Sequence, residues 1–423
     1  MNDFISPRER ARQFHTSYHG RPAGRSLSDV PPSGPPANQP FQTPDTVSAN
    51  EEQGASTNTA GPLLQPPAKP KKTLKQRLQS ITKKQWIIIG IVAAVLLIGG
   101  VAAALMLPSD PPAKPTAAKK NAPAPPPPPT TVASKLMGVQ VDPTVNARPI
   151  TAIMIENSTD ARPQSGLNNA GVVFEAIAEG GITRFLTLFQ ENEPDYIGPV
   201  RSVRPYYVQW LMGFDAPVAH VGGSAEALQM IKTLGVKDLD QFANSGAYWR
   251  ISNRAAPHNV YTSIARLREV ENKKGWTASS FTSLVRKAEK PSAAPNARAV
   301  NLNISSANFN VRFDYDAATN SYKRALAGQP HIDERSGAQL SPKVVVVPVM
   351  PQGSNGKYTT YATVGSGSVY IFQDGVVTEG TWRKESNTAQ FTFTGADGAA
   401  IGLNPGQTWF TIVGSKDRVS ITP

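Results

Sequence analysis

The longest apolar pattern in the chain is a run of 22 residues without a single charge, from Trp86 to Leu107. At about 1.5 Å per helical residue the run spans about 33 Å, and the hydrocarbon core of a bilayer is about 30 Å thick. Helices in a soluble core usually keep a polar face, and this run has none. The pattern therefore predicts one transmembrane helix over 86–107, with a buried core helix as the weaker alternative.

The charges that flank this run predict its orientation. Seven Lys and Arg residues lie between residues 69 and 85, whereas only three follow in a similar stretch after the run. The positive-inside rule places residues 1–85 in the cytoplasm and everything after Leu107 outside the cell membrane. The run is too long and begins too late for a cleaved signal peptide. We expect a single-pass signal anchor, with the lipid bilayer as a partner.

Two segments beside the predicted span have the composition of unfolded chain. Residues 1–85 are polar and basic with no sustained apolar period, so we expect a disordered cytoplasmic tail. Residues 108–145 are expected to form a Pro-rich linker, because ten prolines lie between residues 108 and 129. Such a stretch favours an extended polyproline II spacer.

Charge and cysteine content exclude several classes of function. Of the formal net charge of +12, residues 1–85 carry +6 and residues 108–145 carry +2, which leaves +4 for residues 146–423. The folded part therefore lacks the basic excess of a nucleic-acid-binding protein. The chain contains no cysteine, which excludes disulfides, a thiolate nucleophile and a lipid-modified N-terminal cysteine. No feature of the sequence calls for a cofactor.

From residue 146 the pattern changes to alternating strands and helices, which predicts an α/β domain over 146–290. The predicted strands are Ile150–Ile155, Val172–Ala176, Ile182–Phe189 and Ala216–Val221, and the predicted helices are Val203–Phe214, Ser224–Leu234 and Ser263–Asn272.

The segment 300–423 is predicted to form a separate, mainly β domain. Its clearest signal is Gln373-Asp374-Gly375, a hairpin turn between two β-rich runs. The predicted strands are Phe309–Tyr315, Ser321–Leu326, Val344–Val347, Ser368–Phe372, Val376–Trp382, Gln390–Phe393 and Trp409–Val413.

Candidate chemistry is concentrated in segments of the α/β region that contain Gly and Pro. His220-Val-Gly-Gly-Ser224 joins a predicted strand to a predicted helix, with Ser224 as the N-cap. Backbone N–H groups at a helix N-terminus favour anions, and arginine suits carboxylate or phosphate. We expect one anion pocket formed by these ten residues: Arg184, Arg201, Arg204, His220, Gly222, Gly223, Ser224, Arg254, His258 and Asn259.

The same residues allow structural interpretations. The two glycines could serve only a tight turn, with Ser224 as a cap and no ligand. Arg204 could be a buried partner of Glu175 or Glu179, in which case its loss would strand a charge and cost about 3–5 kcal/mol of stability. His331 and Asp333 are expected to be loop residues of the second domain.

Catalytic and metal-binding alternatives have weaker support. His220 or His258 could act as a general base, Ser224 as a nucleophile and Glu175 or Glu179 as an acid. However, the chain contains no Gly-x-Ser-x-Gly or His-Glu-x-x-His motif. Two histidines and a glutamate could hold a metal, but their spacing is not diagnostic.

The set of motifs resembles the YerB family, a domain of unknown function numbered 3048. The motifs that carry the resemblance are Glu179-Gly-Gly-Ile-Thr-Arg, Gly198-Pro-Val-Arg-Ser-Val-Arg-Pro, His220-Val-Gly-Gly-Ser, Ala256-Pro-His-Asn, Val344-Val-Val-Val and Gly406-Gln-Thr-Trp-Phe. The resemblance implies an N-terminal and a C-terminal family domain, an extracytoplasmic location and a link to wall synthesis. Many members are lipoproteins, whereas this chain has the predicted span.

Together these observations predict a membrane-anchored envelope protein whose external part is a binding or regulatory module with an anionic-ligand pocket. Peptidoglycan or wall-synthesis proteins are the expected partners. The alternative is a hydrolase or transferase that acts on an envelope polymer, because binding and catalysis would use the same Arg and His side chains.

Overall fold

The computed structural model describes residues 130–423, and within them no helix is both long and apolar enough to cross a bilayer. The predicted tail at 1–85, the predicted span at 86–107 and most of the predicted linker lie outside the described residues. The structure is already folded at Val132, within the segment that the sequence assigns to the linker. Leu136 is 1% exposed and belongs to the core.

Strands and helices alternate through the first half of the described chain. Its strands are β1 (Val132–Ala133), β2 (Gln140–Val141), β3 (Thr151–Glu156), β4 (Val172–Glu179), β5 (Ile182–Phe189), β6 (Val218–His220), β7 (Asp238–Asp240), β8 (Tyr248–Arg250) and β9 (Val260–Thr262). Its α-helices are α1 (Pro143–Asn146), α2 (Pro205–Leu211), α3 (Ala225–Thr233) and α4 (Ile264–Lys273).

The second half is mostly β structure with few helical residues, as predicted. Its strands are β10 (Ala299–Leu302), β11 (Val311–Asp316), β12 (Ser321–Leu326), β13 (Gln329–Pro330), β14 (Val344–Pro348), β15 (Gln352–Ser354), β16 (Thr359–Tyr361), β17 (Gly365–Gln373), β18 (Val376–Lys384), β19 (Thr392–Thr394), β20 (Thr408–Thr411) and β21 (Val419–Thr422). The turn between β17 and β18 is formed by Asp374 and Gly375, both with positive φ. A two-residue turn of this kind matches the twist of the strands it joins.

One ten-stranded mixed sheet contains strands from both halves, in the order β19-β18-β17-β14-β20-β4-β5-β3-β6-β7. The junction is the parallel pairing of β20 with β4, which sets Thr408 opposite Val172. The boundary near residue 290 separates a mixed α/β half of the sequence from a mainly β half. In the structure, however, the two halves share one sheet and its core.

A second, antiparallel sheet of five strands has the order β13-β12-β11-β10-β21. Its apolar side chains share one buried cluster with one face of the large sheet, and the helix α2 packs on the opposite face. Because both faces of the large sheet are covered, its central strands are apolar on both sides. In β14, for example, Val344 belongs to one cluster and Val345 to the other.

A buried ion pair joins the two sheets. Arg324 on β12 donates from Nη2 to both carboxylate oxygens of Glu175 on β4, at 2.8 Å each, and both side chains are fully buried. The indole N–H of Trp409 donates to the same carboxylate at 3.1 Å. The guanidinium also lies 4.8 Å from the Trp409 ring centroid. Two charges without water need such partners on every side.

His331 closes this network beside Arg324. The guanidinium of Arg324 donates to Nδ1 of His331, and Nε2 of the same ring lies 2.8 Å from Oε1 of Gln164. Since Nδ1 accepts, the ring is neutral and donates from Nε2. Burial, reinforced by the charges of Arg324 and Arg162, holds the pKa of His331 well below its ordinary value of 6.5.

This lowered pKa predicts a loss of stability in mild acid. Below about pH 6.5 the unfolded chain protonates His331 while the folded chain does not, so the free energy of unfolding falls by up to about 1.4 kcal/mol per pH unit. His331→Gln keeps both hydrogen bonds without a titrating ring. Urea unfolding between pH 5 and 7.5 should give a pH slope smaller by about one proton in this variant. An unchanged slope would contradict a neutral buried ring.

Candidate functional site

Three parallel strands of the large sheet end at one edge in polar side chains. β3, β6 and β7 are mutually parallel neighbours, and their last residues are Glu156, His220 and Asp240. Ligand sites of α/β sheets lie outside the carboxyl ends of parallel strands. We therefore expect the functional side chains at this edge.

The segment 200–204 runs along this edge and brings most of the predicted residues together. Arg201 donates its backbone N–H to Met154 at the end of β3, and its carbonyl accepts from Val221 after β6. The backbone N–H of Val203 donates to the carbonyl oxygen of Gly222 at 3.0 Å. The alternating side chains of the segment then approach two different glutamates.

The first glutamate, Glu156, is buried and has three side-chain partners. Arg201 places Nε 3.2 Å from Oε1, Ser158 donates to Oε1 at 3.0 Å, and Nδ1 of His258 lies 2.9 Å from Oε2. Arg201 and His258 remain 24% and 20% exposed. We call Glu156, Ser158, Arg201 and His258 the Glu156 cluster.

The carboxylate of Glu156 orients the His258 ring. Because a carboxylate only accepts, Nδ1 carries the proton in this bond and Nε2 is directed away from Glu156. Asp160 is the nearest carboxylate to Nε2, at 4.0 Å, and is 77% exposed. Ser158 approaches Nδ1 at 3.3 Å and not Nε2. A serine triad needs the hydroxyl and the carboxylate on opposite ring nitrogens, so this arrangement differs from one.

The second glutamate, Glu179, binds two arginines. Arg184 donates to Oε1 at 2.8 Å, and Arg204 donates to Oε2 at 3.0 Å and 2.6 Å. Arg204 is 4% exposed and its guanidinium lies 4.5 Å from the ring centroid of Tyr358. Burial alone would raise the pKa of Glu179, but the charges of Arg184 and Arg204 and the hydrogen bonds they donate together lower it. The contacts of Arg204 are thus those of the structural alternative.

The Gly-Gly turn after β6 has the predicted form, but the N–H groups of Gly222 and Ser224 have partners within the chain. Ser224 caps α3, accepting from the N–H of Ala227 at 3.3 Å, and Gly222 has a φ of +58° that favours glycine. The N–H of Gly222 donates to the carboxylate of Asp240 at 3.0 Å, and the N–H of Ser224 donates to Val203 at 3.3 Å. Gly223 packs against the 200–204 segment.

His220 is buried and both of its ring nitrogens face acceptors. Nδ1 lies 2.9 Å from the carbonyl oxygen of Gly222, and Nε2 lies 3.0 Å from Oδ1 of Asp238. The His220 ring therefore stabilises the turn, and both of its nitrogens are already in contact with groups of the protein. The metal alternative is not supported either, because within residues 130–423 no three His, Asp or Glu side chains lie close enough together to hold an ion.

Arg254 and Asn259 lie on the loop that carries His258. Arg254 donates to the carbonyl oxygens of Ala161 and Pro163 at 2.5 Å and 2.6 Å. Asn259 accepts from Arg250 at 2.7 Å. These contacts hold the loop in place and thereby position His258. Arg254 and Asn259 therefore support the site without being part of it.

Most of the ten predicted residues thus lie around the 200–204 segment, with Arg254 and Asn259 outside it, but their side chains contact separate partners and do not line one pocket. Sequence reasoning missed Glu156, Ser158 and Asp160. A usable signal was present, because Glu156 ends an apolar strand in the same way as His220 does.

Comparison with known proteins identifies relatives for this fold. Residues 136–277 match the N-terminal domain and residues 300–410 the C-terminal domain of a protein family of unknown function, DUF3048. "Putative lipoprotein YerB" of Bacillus subtilis is 30% identical over 295 residues, which cover 68% of this chain and 88% of that protein. The crystal structure of the YerB protein from Bacillus subtilis aligns with a TM-score of 0.63 at 28% identity, covering 69% of this chain and all of that one.

The two arginines of the 200–204 segment should differ in their effect on stability. Arg204→Met removes charge-assisted bonds from a buried guanidinium but leaves Glu179 paired with Arg184. It should therefore lower the free energy of unfolding by about 2 kcal/mol, below the cost of about 3–5 kcal/mol for a stranded charge. Arg201→Met removes one ion pair of a guanidinium that is 24% exposed, so it should cost less, about 1 kcal/mol. Urea unfolding of the two full-length variants measures both values. Equal costs would mean that the burial difference between the two side chains does not govern their role.

Proposed function

The chain belongs to the DUF3048 family, and from that membership we propose that it is a membrane-anchored envelope protein whose external part binds an anionic ligand at the Glu156 cluster. The lipoprotein name of the Bacillus subtilis relative supports an extracytoplasmic location. This chain has no cysteine to carry a lipid, so the apolar run 86–107 takes over the anchoring.

The topology is testable on intact cells. The basic flank before residue 86 keeps the N-terminus inside, so external protease should remove a C-terminal tag and spare an N-terminal one. Immunoblots against the two tags on one chain read out both ends. Protection of the C-terminal tag would overturn the external location.

The observation that supports the binding proposal is the side of the Arg201 guanidinium that faces away from Glu156. Its Nε faces Glu156, and within residues 130–423 no hydrogen bond engages its two terminal nitrogens. A guanidinium held on one side and open on the other suits a bidentate carboxylate or phosphate. The same buried carboxylate holds the His258 ring through Nδ1, which leaves the Nε2 edge directed away from Glu156.

The arginines around the 200–204 segment are matched by carboxylates, because Asp238 and Asp240 lie at the same strand edge as Glu156 and Glu179. The proposed ligand class therefore rests on the open side of Arg201 and not on net charge. Asp160, the carboxylate nearest to Nε2 of His258, is too distant for a hydrogen bond and mostly exposed, so a ligand can replace it there.

Titration of the full-length protein in detergent tests the proposal, with inorganic phosphate and wall-derived muropeptides as probes. Arg201→Gln should weaken binding about tenfold or more, because a hydrogen bond to a charged group is worth about 1.5–3 kcal/mol. Arg383→Gln is the matched control, since Arg383 is 66% exposed and pairs only with Glu385 among the described residues.

Two outcomes would overturn the binding role. One is an absence of anion binding in the parent protein, and the other is equal binding by Arg201→Gln. Release of soluble products from isolated cell walls that is lost in His258→Ala would establish the hydrolase or transferase alternative instead.

A further inference from the structure

A second concave site lies on the other side of Arg204, under the hairpin β15–β16. Its cavity has a volume of about 130 Å³, well above what a single water needs. The floor comes from α2 and the first turns of α3, and the wall comes from the hairpin. The lining residues that matter are Tyr206, Gln209, Glu226, Asn355, Tyr358 and Tyr361.

Two of the aromatic walls are held rigidly. The hydroxyl of Tyr206 donates to the carbonyl oxygen of Ile177 at 2.7 Å, and the hydroxyl of Tyr361 accepts from the N–H of the same residue at 2.9 Å. Their ring centroids are 4.8 Å apart at an interplanar angle of 70°. Because Tyr206 is only 2% exposed, the fixed apolar surface that faces the cavity comes mainly from Tyr361, and the hydroxyls of both rings are engaged elsewhere.

The polar groups of the lining are left with unused hydrogen-bonding capacity. Oε1 of Gln209 accepts from Thr363 at 2.8 Å, and Oδ1 of Asn355 accepts from backbone N–H groups of its own turn. The amide nitrogens of both side chains have no partner within residues 130–423. The same holds there for the carboxylate of Glu226 and the hydroxyl of Tyr358. The cavity thus offers three donors and one strong acceptor around aromatic walls.

We infer that this cavity binds a pyranose ring. A sugar ring has flat C–H faces that pack on aromatic rings and a rim of hydroxyls that both donate and accept hydrogen bonds, which matches this lining. An anion is disfavoured because the lining contains a carboxylate and no Lys or Arg. A cation is disfavoured because the Arg204 guanidinium already lies against Tyr358, at 4.5 Å from its ring centroid.

This site is separate from the Glu156 cluster. The cavity lining contains Pro205 but none of the side chains that contact Glu156. The two sites can therefore fail or succeed independently in binding experiments. Variants in the cavity lining leave the side chains that contact Glu156 unchanged.

Ligand-observed saturation-transfer NMR on the full-length protein tests the inference, in a detergent without a sugar headgroup. Free glucose and N-acetylglucosamine are the probes. Glu226→Gln and Tyr358→Ala should each weaken binding about tenfold, through loss of the charged acceptor and of one aromatic wall. Glu269→Gln is the matched control, because Glu269 is also an exposed helical glutamate and lies outside the cavity. Thermal melts of each variant confirm that the protein remains folded.

Three results would overturn the inference. The first is an absence of transfer to either sugar in the parent protein. The second is the same affinity in Glu226→Gln and Tyr358→Ala as in Glu269→Gln. The third is saturation by tetramethylammonium or inorganic phosphate that displaces the sugar and depends on Glu226, which would assign the cavity to a charged ligand. Loss of phosphate binding in Arg201→Gln, by contrast, has no bearing on this cavity.

Discussion

The buried pair of Glu175 and Arg324 is the interaction on which the arrangement of the two sheets depends. Each charge has lost its water, and the cost is offset only where the remaining donors and acceptors find partners. Trp409, Thr183 and His331 supply partners to the pair, and Nε of Arg324 is left without one among the described residues. The layers can therefore stack in the register that closes this network, and a shift of one residue would leave a charge unpaired.

The same network reaches the candidate site. His331 contacts Gln164, and the amide of Gln164 donates to the backbone carbonyl of Glu156 at 3.0 Å. The backbone of Glu156, whose carboxylate orients Arg201 and His258, is thus hydrogen-bonded to the interface of the two sheets. Sites whose supporting contacts are this rigid lose little free energy to ordering when a ligand binds.

Local signals in the sequence predicted most of the elements and the turns. The cap at Ser224 and the Asp374–Gly375 turn form as expected, because a cap and a two-residue turn are decided by residues within a few positions. β5 and β12 have their predicted bounds. The pairing of β20 with β4 could not be read in this way, since periodicity gives the faces of a strand but not its neighbours. The partner of Arg201 could not be predicted for the same reason, because Gly and Pro spacing indicates where the cation lies and not that Glu156 meets it. For Arg204 the structural alternative named the right partner, Glu179.

The position of β20 in the middle of the large sheet has a consequence for how the protein folds. The contact between Trp409 and Glu175 joins residues 234 positions apart, and β20 is the only element between β14 and β4 in the described sheet. Until this late strand arrives, β4 keeps an open edge of unpaired N–H and C=O groups, which is a template for association with other chains. Contacts of such separation form slowly. A chain that is synthesised from its N-terminus therefore needs protection along β4 until its last residues emerge, and shielding of that edge becomes a requirement of its biosynthesis.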